Sequence, residues 1–201
     1  MSTPADDPVP DVPEVPDVPD LPAEPVVIRG DGLVLREWTE ADLPAMSELF
    51  DDPAIAHRTP LASPFDAAAA RAYLDRARAT RADGTRLQLA VTEDGGAPLG
   101  EVLLGSLGTE RPAGAVTLGY AIGGAHRGRG LAPRATRLLT AYAHDSLGIT
   151  RVRLQIEEDN AASVGVARAA GYRLLADVPP VAAEQKGRKY LLKAWEHTAE
   201  G

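Results

Sequence analysis

The stretch "GAHRGRGLAPRATRLLTAYAH", residues 124–144, decides how the rest of the chain is read. Two glycines separated by one residue, Gly128 and Gly130, alternate with Arg127 and Arg129 and lead into an amphipathic run. Glycine lets successive N–H groups turn toward one point with no Cβ in the way. The first-turn N–H groups of the following helix lack intrahelical partners and sit at its positive end. A strand–turn–helix of this kind can cradle an anion, and a pyrophosphate fits its size. Arg127 and Arg129 would add charge for flanking phosphates. Two common phosphate patterns are excluded. Leu131 and Ala132 stand where a P-loop needs Lys and Ser/Thr, and Pro133 stands where the dinucleotide fingerprint needs its third glycine. On glycine spacing alone, an ordinary tight turn remains open beside a binding site.

Outward from this stretch, the neighbours read as alternating short elements. "GAVTLGYAIG" before it predicts a strand over Ala115 to Ile122, and Gly148 stops the helix after it. "TRVRLQIE" alternates Val152, Leu154 and Ile156 as a half-buried strand. "NAASVGVARAAGY" predicts a short helix capped by Asn160 and ended at Gly171. Upstream, Leu33 to Arg36 is extended, and Thr39 with Asp42 opens a helix carrying Leu43, Met46, Leu49 and Phe50 on one face. A second helix is expected over Pro64 to Ala82, then a hairpin with Leu87, Leu89 and Val91 on one arm, "DGG" at the turn and Leu99 to Leu104 on the other. "YRLLADV" and "RKYLLKAW" close the chain as strands. Runs of strands with single helical crossovers predict an α+β fold with one mixed, mostly antiparallel sheet.

The bulk numbers bound the function. At 201 residues and 44% apolar, the chain suits one packed domain with extensions. The net charge of −8 is concentrated: residues 4–25 hold seven of the 29 acids and none of the 21 bases. The remainder, 22 acids against 21 bases, is nearly neutral, which argues against a nucleic-acid surface. Pro10, Pro13, Pro16, Pro19, Pro22 and Pro25 recur every third residue, the period of polyproline II. We therefore expect a disordered Pro/Asp-rich tail over 1–25, a domain over 26–195 and a short tail over 196–201. With no cysteine, no signal-like start and no apolar run of about 20 residues, the chain reads as cytoplasmic, free of disulfides and not membrane-spanning. Its four histidines show no metal-ligand spacing, so no metal is expected. A homodimer is compatible with the sequence.

Arg127-x-x-Gly130-x-Ala132 resembles the Arg/Gln-x-x-Gly-x-Gly/Ala pattern of the GNAT acetyltransferases. Asn160, Ser163, Gly171 and Tyr172 resemble the same superfamily's N-x-x-S … G-F/Y segment. "LVLREWTEADLPAMSELFDDPAI" resembles the opening of the branch that acetylates ribosomal-protein N-termini. The resemblance covers residues 26–195. It implies the GNAT fold, a mixed sheet with helices on both faces and a splayed parallel strand pair. It also implies acetyl-coenzyme A as co-substrate, acetyl transfer to a primary amine of a peptide N-terminus or small molecule, and direct attack in a ternary complex. Backbone groups of Tyr120, Ala121 and Ile122 would then hold the pantetheine arm. Those of Gly128, Arg129, Gly130, Leu131 and Ala132, with Arg127, would hold the pyrophosphate, and Asn160 and Ser163 would contact the cofactor's far side. Arg134 departs from the Glu common in the ribosomal branch, and Ala167 stands where many family members place a proton-donating Tyr. Ser163 is the substitute donor, Glu101 and Glu157 are the candidate bases, and Ala167→Tyr would test whether a donor is all that is missing. The alternative is a degenerate module that binds acyl-coenzyme A as a sensor without turnover.

Overall fold

A computed structural model describes residues 21–108 and 114–199. Among the described residues nine strands form one sheet: β1 Val27–Gly30, β2 Leu33–Glu37, β3 Leu87–Thr92, β4 Gly100–Gly105, β5 Val116–Ile122, β6 Arg151–Glu157, β7 Arg173–Leu174, β8 Val181–Gln185 and β9 Arg188–Thr198. The order is β1-β2-β3-β4-β5-β6-β9-β7, with β8 also on β9. Every pairing is antiparallel except β5 with β6. The helices are α1 Leu43–Phe50, α2 Pro53–Arg58, α3 Ala67–Ala82, α4 Leu131–Asp145 and α5 Ala161–Ala169. This is the expected α+β, mostly antiparallel arrangement. Among the described residues no helix is long and apolar enough to cross a membrane.

Two cores cover the two faces of the sheet. Leu131, Ala135, Leu139 and Ala143 of α4 recur four apart, so one stripe packs on Leu87, Leu104, Val116 and Val152. On the other face, Met46, Phe50, Phe65, Tyr73 and Leu74 close over Ala90 and Trp38. Their rings meet edge to face at 5.4–6.0 Å, the arrangement aromatic quadrupoles favour. The entry to α1 is set by Asp42, which accepts from the Thr39 backbone at 2.8 Å and from both terminal nitrogens of Arg36 at 2.7 and 2.8 Å.

Several boundaries differ from expectation. The helix expected from Pro64 begins at Ala67, where Asp66 accepts from the Ala69 N–H. Helix α2 and strand β8 were not anticipated. The segment expected as a C-terminal tail continues β9 as far as Thr198, with Glu196 opposite Arg153 and His197 opposite Val152. Of the segment 1–25, residues 1–20 lie outside the described residues. Leu21 packs against the α4-side core, and Arg81 donates to the Pro22 and Glu24 carbonyls at 2.5 and 3.4 Å.

Candidate active site

Strands β5 and β6 pair only at their starts, Val116 with Val152 and Thr117 with Arg153. Beyond those two rungs they diverge, and the backbones of Leu118–Ile122 and Leu154–Glu157 border a gap in the sheet. A cavity opens on each side. The one toward α4 and α5, about 810 Å³, is lined by Tyr120, Ile122, Gly128, Gly130, Ala132 and α2 residues including Ile55. The one toward α3, about 520 Å³, is lined by Tyr73, Gln88, Glu101, Leu103, Gln155 and Tyr190, among others. Tyr120, Ala121, Asn160 and Ser163 line both, so the two cavities meet at the gap.

The glycine turn behaves as its chemistry demands. Gly128 and Gly130 have φ of +77° and +68°, and a Cβ built on either meets nothing within 4 Å. The turn is therefore left-handed backbone bordering open space, directly before the free N–H groups of α4. The expected role of the arginines changes. Arg127 donates from Nε to the Ile122 carbonyl at 3.1 Å and pairs with Asp52 at 2.7 Å. Arg129 pairs with Glu93 at 2.6 Å. Arg134 donates to the Gly130, Arg129 and Asp31 carbonyls at 2.9–3.2 Å. These guanidiniums brace the turn from outside, and Arg127 alone of the three also lines the cavity.

At the far side of the gap, Asn160 caps α5 by accepting from the Ser163 N–H at 3.1 Å. That cap holds Asn160 and Ser163 at the mouth shared by both cavities. The Tyr120 hydroxyl lies here too. It is fully shielded from solvent and meets no hydrogen-bond partner at bonding distance among the described residues; the Ser163 side chain is the polar group nearby. Burial pushes its pKa upward, and Ser163 partly offsets this. A buried, unpaired hydroxyl costs stability and is rare outside functional sites. Nothing in the sequence distinguished this hydroxyl from the ring that carries it.

Glu101 lies on the α3 side, 4% exposed. Its Oε2 accepts from Trp38 Nε1 at 2.9 Å and its Oε1 from the Tyr73 hydroxyl at 2.5 Å, while Gln88 donates to that hydroxyl at 2.6 Å. Burial lifts its pKa to about 7, against the opposing pull of the Tyr73 and Trp38 donors and the charge of Arg86. Glu157 is different. Arg188 reaches both its oxygens at 2.6 and 2.8 Å, and Arg58 reaches one at 2.8 Å. The Arg188 and Arg58 hydrogen bonds hold the carboxyl below the ordinary range. An anion so paired takes up a proton less readily, and its ion pairs fasten β6 to β9 and α2.

Tyr172 is a packing residue, as expected: its hydroxyl meets Thr140 at 2.7 Å and its ring is 3% exposed. Ala167 is fully buried among core residues and lines neither cavity. A tyrosine there would collide with the core before it reached the gap, which overturns Ala167→Tyr as a test.

The family model described as an acetyltransferase (GNAT) domain matches residues 32–173, most of the chain and all of the gap. The chain belongs to the GNAT acetyltransferase family. Among solved structures it is similar to the ribosomal L7/L12 α-N-protein acetyltransferase RimL in complex with coenzyme A, at 18% identity and TM-score 0.72, over 86% of this chain and 98% of that one. It is also similar to the microcin C7 self-immunity acetyltransferase MccE in complex with acetyl-CoA and AMP, at 17% and 0.71, over 85% and 94%. A third is Mycobacterium smegmatis RimJ in complex with CoA-disulfide, at 18% and 0.65, over 85% of each chain. At such identities these GNAT relatives share a fold. No curated protein matches the sequence.

Proposed function

We propose that this GNAT protein transfers an acetyl group from acetyl-coenzyme A to a primary amine by direct attack in a ternary complex. One observation carries the reading: two cavities on opposite faces of the sheet meet at a two-sided gap. One is bounded by an open glycine turn at a helix N-terminus, the other holds a buried carboxylate with a pKa near neutrality. Donor and acceptor would enter from opposite sides and touch at Tyr120.

Acetyl-coenzyme A supplies a thioester carbonyl. The turn from Gly128 to Ala132, with α4 behind it, would hold the pyrophosphate; Pro133 contributes no N–H. The free edge of β5 from Tyr120 to Ile122 would hold the pantetheine arm, with the Asn160 amide and Ser163 opposite. Backbone N–H groups of the same edge would offset the charge that develops on the carbonyl oxygen. Glu101 takes the amine's proton, directly or through a water, as the C–N bond forms. As the C–S bond breaks, the Tyr120 hydroxyl gives its proton to the sulfur and is reprotonated by way of Ser163 and solvent. This assigns Ser163 to proton relay behind Tyr120.

The sealed position of Ala167 favours a second reading, a binding module without turnover. Calorimetry with coenzyme A and a thiol-release assay over peptide N-termini, amino acids, polyamines and aminoglycosides separate the two. Micromolar binding with acetyl transfer to an amine supports the enzyme. Binding with no release over the whole panel supports the module, and absence of binding overturns both.

A further inference from the structure

The α3-side cavity carries an uneven charge. Arg58 on its wall is neutralised by Glu157 and Asp159. Two other guanidiniums of the wall, Arg76 and Arg86, form no hydrogen bond or ion pair through their side chains with any described residue. Arg76 is brought there by helical spacing: Ala69, Ala72, Tyr73 and Arg76 form one stripe of α3 that lines the cavity. Arg86 is brought there by sheet register. Gln88 faces Leu103 and Ala90 faces Glu101, so Arg86 falls on the same face, beside Gly105. Its Nε lies 3.7 Å from where a Gly105 Cβ would stand, in room that a side chain would take up. Its charge also reaches Glu101.

We propose, on the reading of this cavity as the acceptor site, that the acceptor is an amine carrying a carboxylate or phosphate. Its nitrogen approaches Glu101 and its anionic group meets Arg76 and Arg86. Leu61, Phe65, Leu103, Leu154 and Leu192 line the same cavity and suit an apolar body attached to the amine. Guanidiniums match planar carboxylates and phosphates in shape as well as charge. A polyamine would bring its second ammonium against the same two cations. The shared chemistry is an anion on an amine.

The test is calorimetry on the coenzyme A-loaded protein, which reads binding whether or not turnover follows. Coenzyme A affinity is measured first and judges the underlying reading separately. Phenylalanine, phenylalaninamide and phenethylamine then differ in the anion alone or nearly so; phosphoethanolamine is the phosphate arm and spermidine the polycation. The expected result is at least tenfold tighter binding of phenylalanine than of its amide. That preference should collapse in Arg76→Gln and Arg86→Gln and persist in Arg86→Lys. If phosphoethanolamine outranks phenylalanine, the anion is a phosphate. Equal or tighter binding of the amide or of spermidine, a preference that survives both Gln variants, or binding of none of the five overturns the proposal.

Discussion

At the scale of single residues, the proposed chemistry rests on two side chains, Glu101 and Tyr120. Glu101 has a folded pKa of about 7, above the ordinary 4.5. Folding therefore favours its protonated form. That contribution to stability is complete below pH 4.5 and is lost as pH rises through 7. Activity should run the other way, because the proposed base works only when ionised. We expect kcat/KM to climb with an apparent pKa near 7. Glu101→Gln should lower it by roughly 10² to 10³ and remove that limb, with coenzyme A affinity unchanged. PH-rate profiles and titration calorimetry read both. Tyr120→Phe makes a sharper pair of outcomes. Removing an orphaned hydroxyl should raise stability by about 1 kcal/mol. Removing the proposed proton donor should lower kcat about tenfold or more with acetyl-coenzyme A affinity retained. A hydroxyl kept only for packing would leave kcat unchanged. Glu101 could be picked out from its place on a central strand, but the Tyr73, Trp38 and Gln88 that hold it come from distant elements, and sequence spacing does not report that meeting.

At the scale of elements, the glycine turn was the most legible feature, because its demands are local. Positive φ at Gly128 and Gly130 and a helix starting at Leu131 follow from residue types in order. Gly130→Asp directs a carboxylate into the cradle. The left-handed φ costs about 1 kcal/mol, and aspartate is among the residues that bear it best. A folded protein with coenzyme A affinity reduced at least 100-fold is expected. Unchanged affinity would remove the turn from the site. The arginines were harder to place, since their partners Asp52, Glu93 and Asp31 are remote in sequence. Helix α2 is hard to read from the sequence because six residues give little periodicity. Its signals were Asp52, which accepts from the Ala54 N–H at 2.7 Å, and Pro53 in the first turn.

At the scale of the whole molecule, the alternating patterns gave the α+β class, and the motif order gave the family. The edges were less legible. The proline period suggested that the domain begins at Val26, yet Leu21 and the Pro22 carbonyl make tertiary contacts that composition does not encode. Truncation before Leu21 and truncation before Val26 should differ. Loss of the half-buried leucine contact and the Arg81 bonds should lower the second variant's melting temperature by several degrees relative to the first, corresponding to about 1–2 kcal/mol. Differential scanning calorimetry distinguishes them, and identical midpoints would return those five residues to the tail.

Two rungs join β5 to β6, so the sheet behaves as two leaves bound along a short spine, β1–β5 on one side and β6–β9 with β7 and β8 on the other. A molecule lying in the gap supplies the missing rungs and stitches the leaves together. Occupancy should then be legible far from the chemistry. Amide exchange should slow along Leu118–Ile122 and Leu154–Glu157 when coenzyme A is added. The unfolding midpoint should rise as well, by an amount equivalent to about 2.7 kcal/mol at a hundredfold excess over Kd. The protein's own melting curve thus becomes a gauge of which acyl donors it accepts.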